Sequence, residues 1–204
     1  MSLFTAIEFS AVIVFALYGV LLAIRHQMDA AGVVAVAMIT SFGGGTLRDF
    51  ILGRQPLFWV ENEHYTIIVF FLAVLGSIFY RQVMKVEKWL KIPDALGMGL
   101  FSIVGAEQAM AEGTGMFIAA LIGVITGTFG GVIADIVCNR IPAIFRPSPL
   151  NATCAFVGAW VFLLLSKTEL PLGVPSFCGI AVVFVFRMLC VKFGWSLSST
   201  RYEA

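Results

Sequence analysis

Apolar residues run along this chain in long blocks, separated by short polar connectors. Seven blocks stand out: Leu3–Ile24, Ala30–Leu52, Thr66–Val83, Ala95–Ala111, Gly115–Cys138, Leu150–Ser166 and Ser176–Val191. A helix needs about 20 such residues to cross a hydrocarbon core of roughly 30 Å, so each block is at or near spanning length. The blocks lack the period-two alternation of a porin strand, which predicts helices rather than a barrel. The longest connectors are Arg54–Tyr65 and Met84–Asp94. Neither is long enough for a separate soluble domain. The second carries a Trp and three lysines between Met84 and Lys91, as suits a segment lying at the membrane interface. The expected fold class is an all-α integral membrane protein with seven transmembrane helices.

Composition agrees. Of 204 residues, 60% are apolar and 12% charged, against roughly 45–50% and about 25% in soluble domains. A soluble globule could not cover so much apolar surface, and disorder is excluded by the same numbers. Thirteen Lys and Arg against twelve Asp and Glu give a net charge of +1, which excludes a basic nucleic-acid binder.

The distribution of charge predicts orientation. With seven crossings the termini lie on opposite sides. The side away from the N-terminus holds Arg25, Arg81, Lys85, Lys88, Lys91, Arg140, Arg146, Lys192 and Arg201; the N-terminal side holds Arg48, Arg54 and Lys167. The positive-inside rule then puts the N-terminus outside and the C-terminus in the cytoplasm, in a plasma (inner) membrane. The first ten residues contain no Lys or Arg, which reads as a true span rather than a cleaved leader. Cys138, Cys154, Cys178 and Cys190 read as free thiols without metal spacing. The sequon at Asn151–Thr153 falls on the cytoplasmic side and reads as chance.

The chain also repeats itself. Shifted by 86 residues, segment 8–56 matches segment 94–142 at ten positions without a gap, and seven of them fall within 39–56. The shared element is Thr-x3-Gly-Gly-x3-Asp-x4-Arg-x-Pro: Thr40, Gly44, Gly45, Asp49, Arg54 and Pro56 in the first copy, and Thr126, Gly130, Gly131, Asp135, Arg140 and Pro142 in the second. Three spans per copy invert the second copy in the membrane. The expected division is residues 1–86 as repeat one, 87–172 as inverted repeat two, and 173–204 as a seventh span with its tail.

The motif suggests chemistry. Gly43, Gly44 and Gly45, and again Gly130 and Gly131, sit inside spans, where each glycine costs about 1 kcal/mol relative to alanine. They invite a kink or an unwound turn whose freed carbonyls could replace part of an ion's hydration shell. Close helix packing is the other reading. Asp49 and Asp135 follow four residues after the second glycine, about one turn on. An intramembrane carboxylate faces a cavity or a partner, and salt bridges with Arg48, Arg54 or Arg140 are equally open. Arg54 and Arg140 either snorkel to the headgroups or form an Asp–Arg network at each pore mouth. Thr40, Ser41, Thr126 and Thr128 supply hydroxyls at the same level. Glu8 and Asp94 pair across the repeat and read as charges near helix starts; Glu107 lies deeper in the fourth span. No hydrolase, NTPase or dinucleotide signature is present, His26 and His64 lie in connectors, and neither an enzyme, a cofactor nor a metal site is expected.

Seven spans, two inverted three-helix halves, the run Ser41–Asp49 and the run Thr128–Asp135 together resemble the prokaryotic branch of the trimeric intracellular cation (TRIC) channel family, also labelled as glycine-transporter-like. The resemblance covers almost the whole chain. It implies a homotrimer in lipid with a pore in each protomer, lined by kinked second and fifth spans and conducting potassium and also sodium. It makes Gly44, Gly45, Gly130 and Gly131 the kink residues and places Asp49, Asp135, Arg54 and Arg140 near the conduction path. Animal members carry a lysine motif, whereas this chain has no Lys between Lys91 and Lys167; their lipid and calcium control is not carried over. The other readings are a secondary transporter of a small zwitterion such as glycine, and a membrane scaffold without transport.

Overall fold

The computed structural model describes residues 3–145, 150–171 and 173–196. Among them the regular structure is helical, with no strand: α1 (Leu3–Arg25), α2 (Ala30–Leu52), α3 (Phe58–Glu61), α4 (Glu63–Ile78), α5 (Tyr80–Met84), α6 (Lys91–Ala111), α7 (Met116–Val137), α8 (Ala152–Leu165) and α9 (Val174–Phe193). Four of these, α1, α2, α7 and α9, are long and apolar enough to cross a membrane. Helices α4 and α8 are apolar but run only 16 and 14 residues. The protein is therefore an all-helical membrane protein.

Local chemistry sets the boundaries. Asp29 caps α2, its carboxylate accepting the Gly32 N–H at 2.8 Å. Pro stands in the first turn of α9, where its missing N–H costs nothing, and Gly194 closes that helix in the left-handed region. The span expected at Thr66–Val83 is corrected. Helix α4 begins at Glu63 and stops at Ile78; Phe79 leaves helical geometry and α5 follows as a separate short helix. The connector Arg54–Tyr65 contains α3. The segment after Met84 includes a single 3₁₀ turn, Glu87–Trp89.

Packing follows the repeat. Helix α1 packs on α2 as α6 packs on α7; α4 covers α1 and α2 as α8 covers α6 and α7. The two copies meet where α2 crosses α7 and α1 meets α6. Helix α9 lies outside this pattern, against α6 and α8. Of the charges expected to flank the membrane, Arg146 and Arg201 lie outside the described residues. Arg48 is no flanking charge: it is the largest fully buried side chain among the described residues.

Candidate functional site

The spacing Asp-x4-Arg-x-Pro is first of all a way of ending a helix. In α2, Gly53 takes the left-handed conformation at φ 67°. Its N–H reaches the Phe50 carbonyl, and the Arg54 N–H reaches the Asp49 carbonyl at 2.9 Å. In α7, Asn139 takes the same conformation at φ 54°, its N–H reaches Ile136, and the Arg140 N–H reaches the Asp135 carbonyl at 2.8 Å. Both are Schellman motifs, with the proline two residues further on preventing the helix from resuming. The carboxylates then hold the returning chain. Asp49 Oδ2 accepts the Phe58 N–H at 2.8 Å, and Asp135 Oδ2 accepts the Ala143 N–H at 3.1 Å. Each motif thus delivers one carboxylate and one guanidinium to the end of a central helix.

Around Asp49 the innermost charges, Glu8, Arg48 and Asp49, are buried, while Arg54 and Glu112 are partly exposed. Arg48 Nε and Nη2 each lie 2.8 Å from Asp49 Oδ1, and Nη1 lies 3.2 Å from Glu8 Oε1. The Phe58 ring covers the guanidinium, 5.0 Å from it. Arg54 Nη1 donates to Gln108 Oε1 at 2.6 Å and lies 3.6 Å by Nε from Glu112. Glu8 also accepts from Gln108 Nε2 at 3.3 Å. We call this site one. It is assembled from the start of α1, the end of α2 and the end of α6.

Around Asp135 the corresponding group is open. Arg140 Nη1 lies 3.7 Å from Asp135 Oδ1 and 3.4 Å from His26 Nε2. His26 stands 86 residues before Glu112, so each motif arginine reaches the same position of the other copy. Asp94, the counterpart of Glu8, pairs with Arg187 Nη2 of α9 at 3.3 Å. A cavity of about 110 Å³ opens among Tyr18, Asp94, Thr128, Asp135, Arg140 and Arg187. This is site two, assembled from the end of α1, the start of α6, the end of α7 and α9. Since α1 and α6 each give one end to site one and the other to site two, the sites lie at opposite ends of the bundle.

Between them α2 and α7 touch. A methyl group on Gly44 would overlap the Thr126 carbonyl, and one on Gly130 would overlap the Thr40 carbonyl. The contact is reciprocal, Gly44 on Thr126 and Gly130 on Thr40, as a two-fold relation between the copies requires. Thr40 Oγ1 lies 2.9 Å from the carbonyls of Phe15, Val36 and Ala37, Ser41 Oγ donates to Val12 at 3.2 Å, and Thr126 Oγ1 donates to Ile122 at 2.7 Å. These three side chains are buried. Thr128 Oγ1 donates to Val124 at 2.7 Å. Gly43 faces Ile133 and Gly130.

The expectation of an unwound turn at the glycines is corrected here. Both helices keep helical geometry through Gly43–Gly45 and through Gly130–Gly131, so no turn is opened to free its carbonyls. Backbone-to-backbone approach is what Gly44 and Gly130 provide. Gly45 accommodates the Phe58 ring, while Gly131 has nothing within 4 Å of an added methyl.

Of the sequence-derived residues, Asp49 with Arg48 and Arg54 forms site one, and Thr128, Gly131, Asp135 and Arg140 form site two. Thr40, Ser41, Gly44, Thr126 and Gly130 form the seam. Glu8, Phe58, Gln108 and Arg187 complete the picture. Arg187 had a signal in the sequence, a lone arginine within Val182–Val191. Phe58 had none, because a short helix in a polar connector leaves no periodicity.

The comparisons with known proteins agree with this architecture. The chain is 35% identical over 201 residues to a UPF0126 membrane protein of Vibrio cholerae, covering 97% of this chain and 82% of that one. It is 35% identical over 186 residues to the UPF0126 inner membrane protein YadS of Escherichia coli K12, covering 90% and 88%. Among solved structures, it matches the TRIC trimeric intracellular cation channel orthologue from Rhodobacter sphaeroides with a TM-score of 0.88 and 34% identity, over 96% of this chain and all of that one. A family described as Glycine transporter matches residues 5–81 and again residues 91–167, two segments that begin 86 residues apart. Matched through both copies, and sharing its fold with a prokaryotic TRIC channel structure, this chain belongs to that Glycine transporter family.

Proposed function

We propose that the protein is a cation channel of the plasma membrane, conducting potassium and also sodium through a pore within each protomer of a homotrimer. The pore runs along the α2/α7 seam from site one to site two. Seven helices cross the bilayer, the two halves are inverted, and the C-terminus is cytoplasmic. The observation that carries this reading is the arrangement of two charged sites, equivalent through the repeat, at opposite ends of one close-packed seam. The same architecture in the solved cation channel orthologue from Rhodobacter sphaeroides supports it. Thr40, Ser41, Gly43, Gly44, Thr126 and Gly130 border the narrow part. Arg48, Asp49, Arg54 and Gly45 stand at one mouth, and Thr128, Gly131, Asp135 and Arg140 at the other.

Purified protein in planar bilayers should pass current whose reversal potential follows the potassium gradient, and Asp49→Asn with Asp135→Asn should alter it. Silent bilayers or anion selectivity would refute the reading. The family's description keeps a second reading in view, carriage of a zwitterion such as glycine, for which the carboxylates and guanidiniums of site two provide both charges. Saturable, gradient-coupled uptake of labelled glycine into proteoliposomes distinguishes it.

A further inference from the structure

We infer that Arg187 of α9 is the fixed positive charge that sets cation conductance at site two, so that the helix outside the repeat is part of the conduction path. The inference rests on the channel reading above.

The two copies show why this arginine is needed. In site one the carboxylate of Glu8 is matched by Arg48, one residue before Asp49 on the same helix. The position equivalent to Arg48 in the second copy is Ala134, which is buried. Copy two therefore has no guanidinium at this position, and Arg140 is engaged with Asp135 and His26. Asp94, the equivalent of Glu8, takes one from α9 instead, at 3.3 Å, nearly the 3.2 Å of the first pair. The family matches end at residue 167, short of α9, so the repeat itself does not account for this residue.

The surroundings differ in the way that matters for ions. Arg48 is sealed under Phe58 and clamped by two carboxylates. Arg187 borders the open cavity with Asp94, Asp135 and Arg140. Among the described lining residues, two carboxylates and two guanidiniums balance. Removing Arg187 shifts the charge of the cavity by −1, and removing the Asp94 charge shifts it by +1. A charged, narrow, low-dielectric mouth concentrates or repels ions strongly.

The test is unitary potassium conductance in planar bilayers at about 0.1 M KCl, where the Debye length is about 10 Å. Arg187→Gln should raise it about twofold or more, and Asp94→Asn should lower it by a similar factor. Arg187→Lys should stay close to wild type, and Asp94→Asn combined with Arg187→Gln should cancel the two effects. All differences should shrink at about 1 M KCl, where the Debye length is about 3 Å. A purely structural pair would give losses of the same sign from both single variants, and that result, or unchanged conductance in both, overturns the inference while leaving the channel intact. A silent wild-type protein overturns the channel reading and this inference with it. Should Arg187→Gln fail to assemble, Asp94→Asn carries the same test with the opposite sign.

Discussion

Gly44 and Gly131 occupy the same motif in the two copies, yet the structure makes opposite demands on them. Replacing glycine by alanine inside a helix favours the helix by about 1 kcal/mol. At Gly131 the added methyl meets nothing within 4 Å, so that gain is kept. At Gly44 the methyl would occupy the space of the Thr126 carbonyl, which is backbone and cannot rotate aside. The helices must separate, and overpacking of this kind typically costs about 1–3 kcal/mol. With the propensity gain subtracted, Gly44→Ala should destabilise by up to about 2 kcal/mol. For a chain of this length about 1 kcal/mol corresponds to roughly 2–4 °C in Tm. Thermal unfolding in detergent should therefore move up by about 2–4 °C for Gly131→Ala and down by up to about twice that for Gly44→Ala. Gly130→Ala, the reciprocal contact, should follow Gly44→Ala. Shifts of the same sign for Gly44→Ala and Gly131→Ala would refute the assignment of Gly44 to the seam.

Other outcomes follow from the same geometry. Phe58→Ala removes a buried ring that fills the space beside Gly45, and should cost about 3–5 kcal/mol in unfolding measurements. Arg48→Met leaves Glu8 and Asp49 buried without their cation and should cost about 3–5 kcal/mol; restoring part of the stability by adding Glu8→Gln would confirm the pairing. Gln27 holds the left-handed conformation at φ 56°, where the second copy has Gly113 at φ 78°. Gln27→Gly should thus stabilise by about 1 kcal/mol and Gly113→Gln should destabilise by about the same, read as opposite shifts in Tm.

The sequence carried the helical class and the 86-residue repeat in plain form, because lipid demands long apolar runs and duplicated halves keep their glycines and charges in register. The Asp-x4-Arg spacing was also visible, though its meaning as a Schellman ending depends on the backbone at Gly53 and Asn139, two residues that are not identical between copies. Helix α4 was misplaced because Phe79 is as apolar as its neighbours; its departure from helical geometry has no signature in hydropathy. Arg48 lies four residues before the end of α2, where hydropathy alone does not separate a flanking charge from a buried one. Only the fold shows Glu8 reaching it from forty residues away. The glycines illustrate the deeper limit. A pair of glycines in a span is compatible with a loosened turn or with a tight crossing, and the deciding fact is the Thr126 carbonyl opposite Gly44, a non-local contact.

The reciprocal contact of Gly44 with Thr126 and of Gly130 with Thr40 has a mechanical meaning. Two contacts that are copies of each other join the same pair of helices. A displacement that moves the two helices apart as rigid bodies opens both contacts together. In the proposed channel each protomer should then switch as a unit, in single-channel records with one step height per protomer and no half-open sublevel.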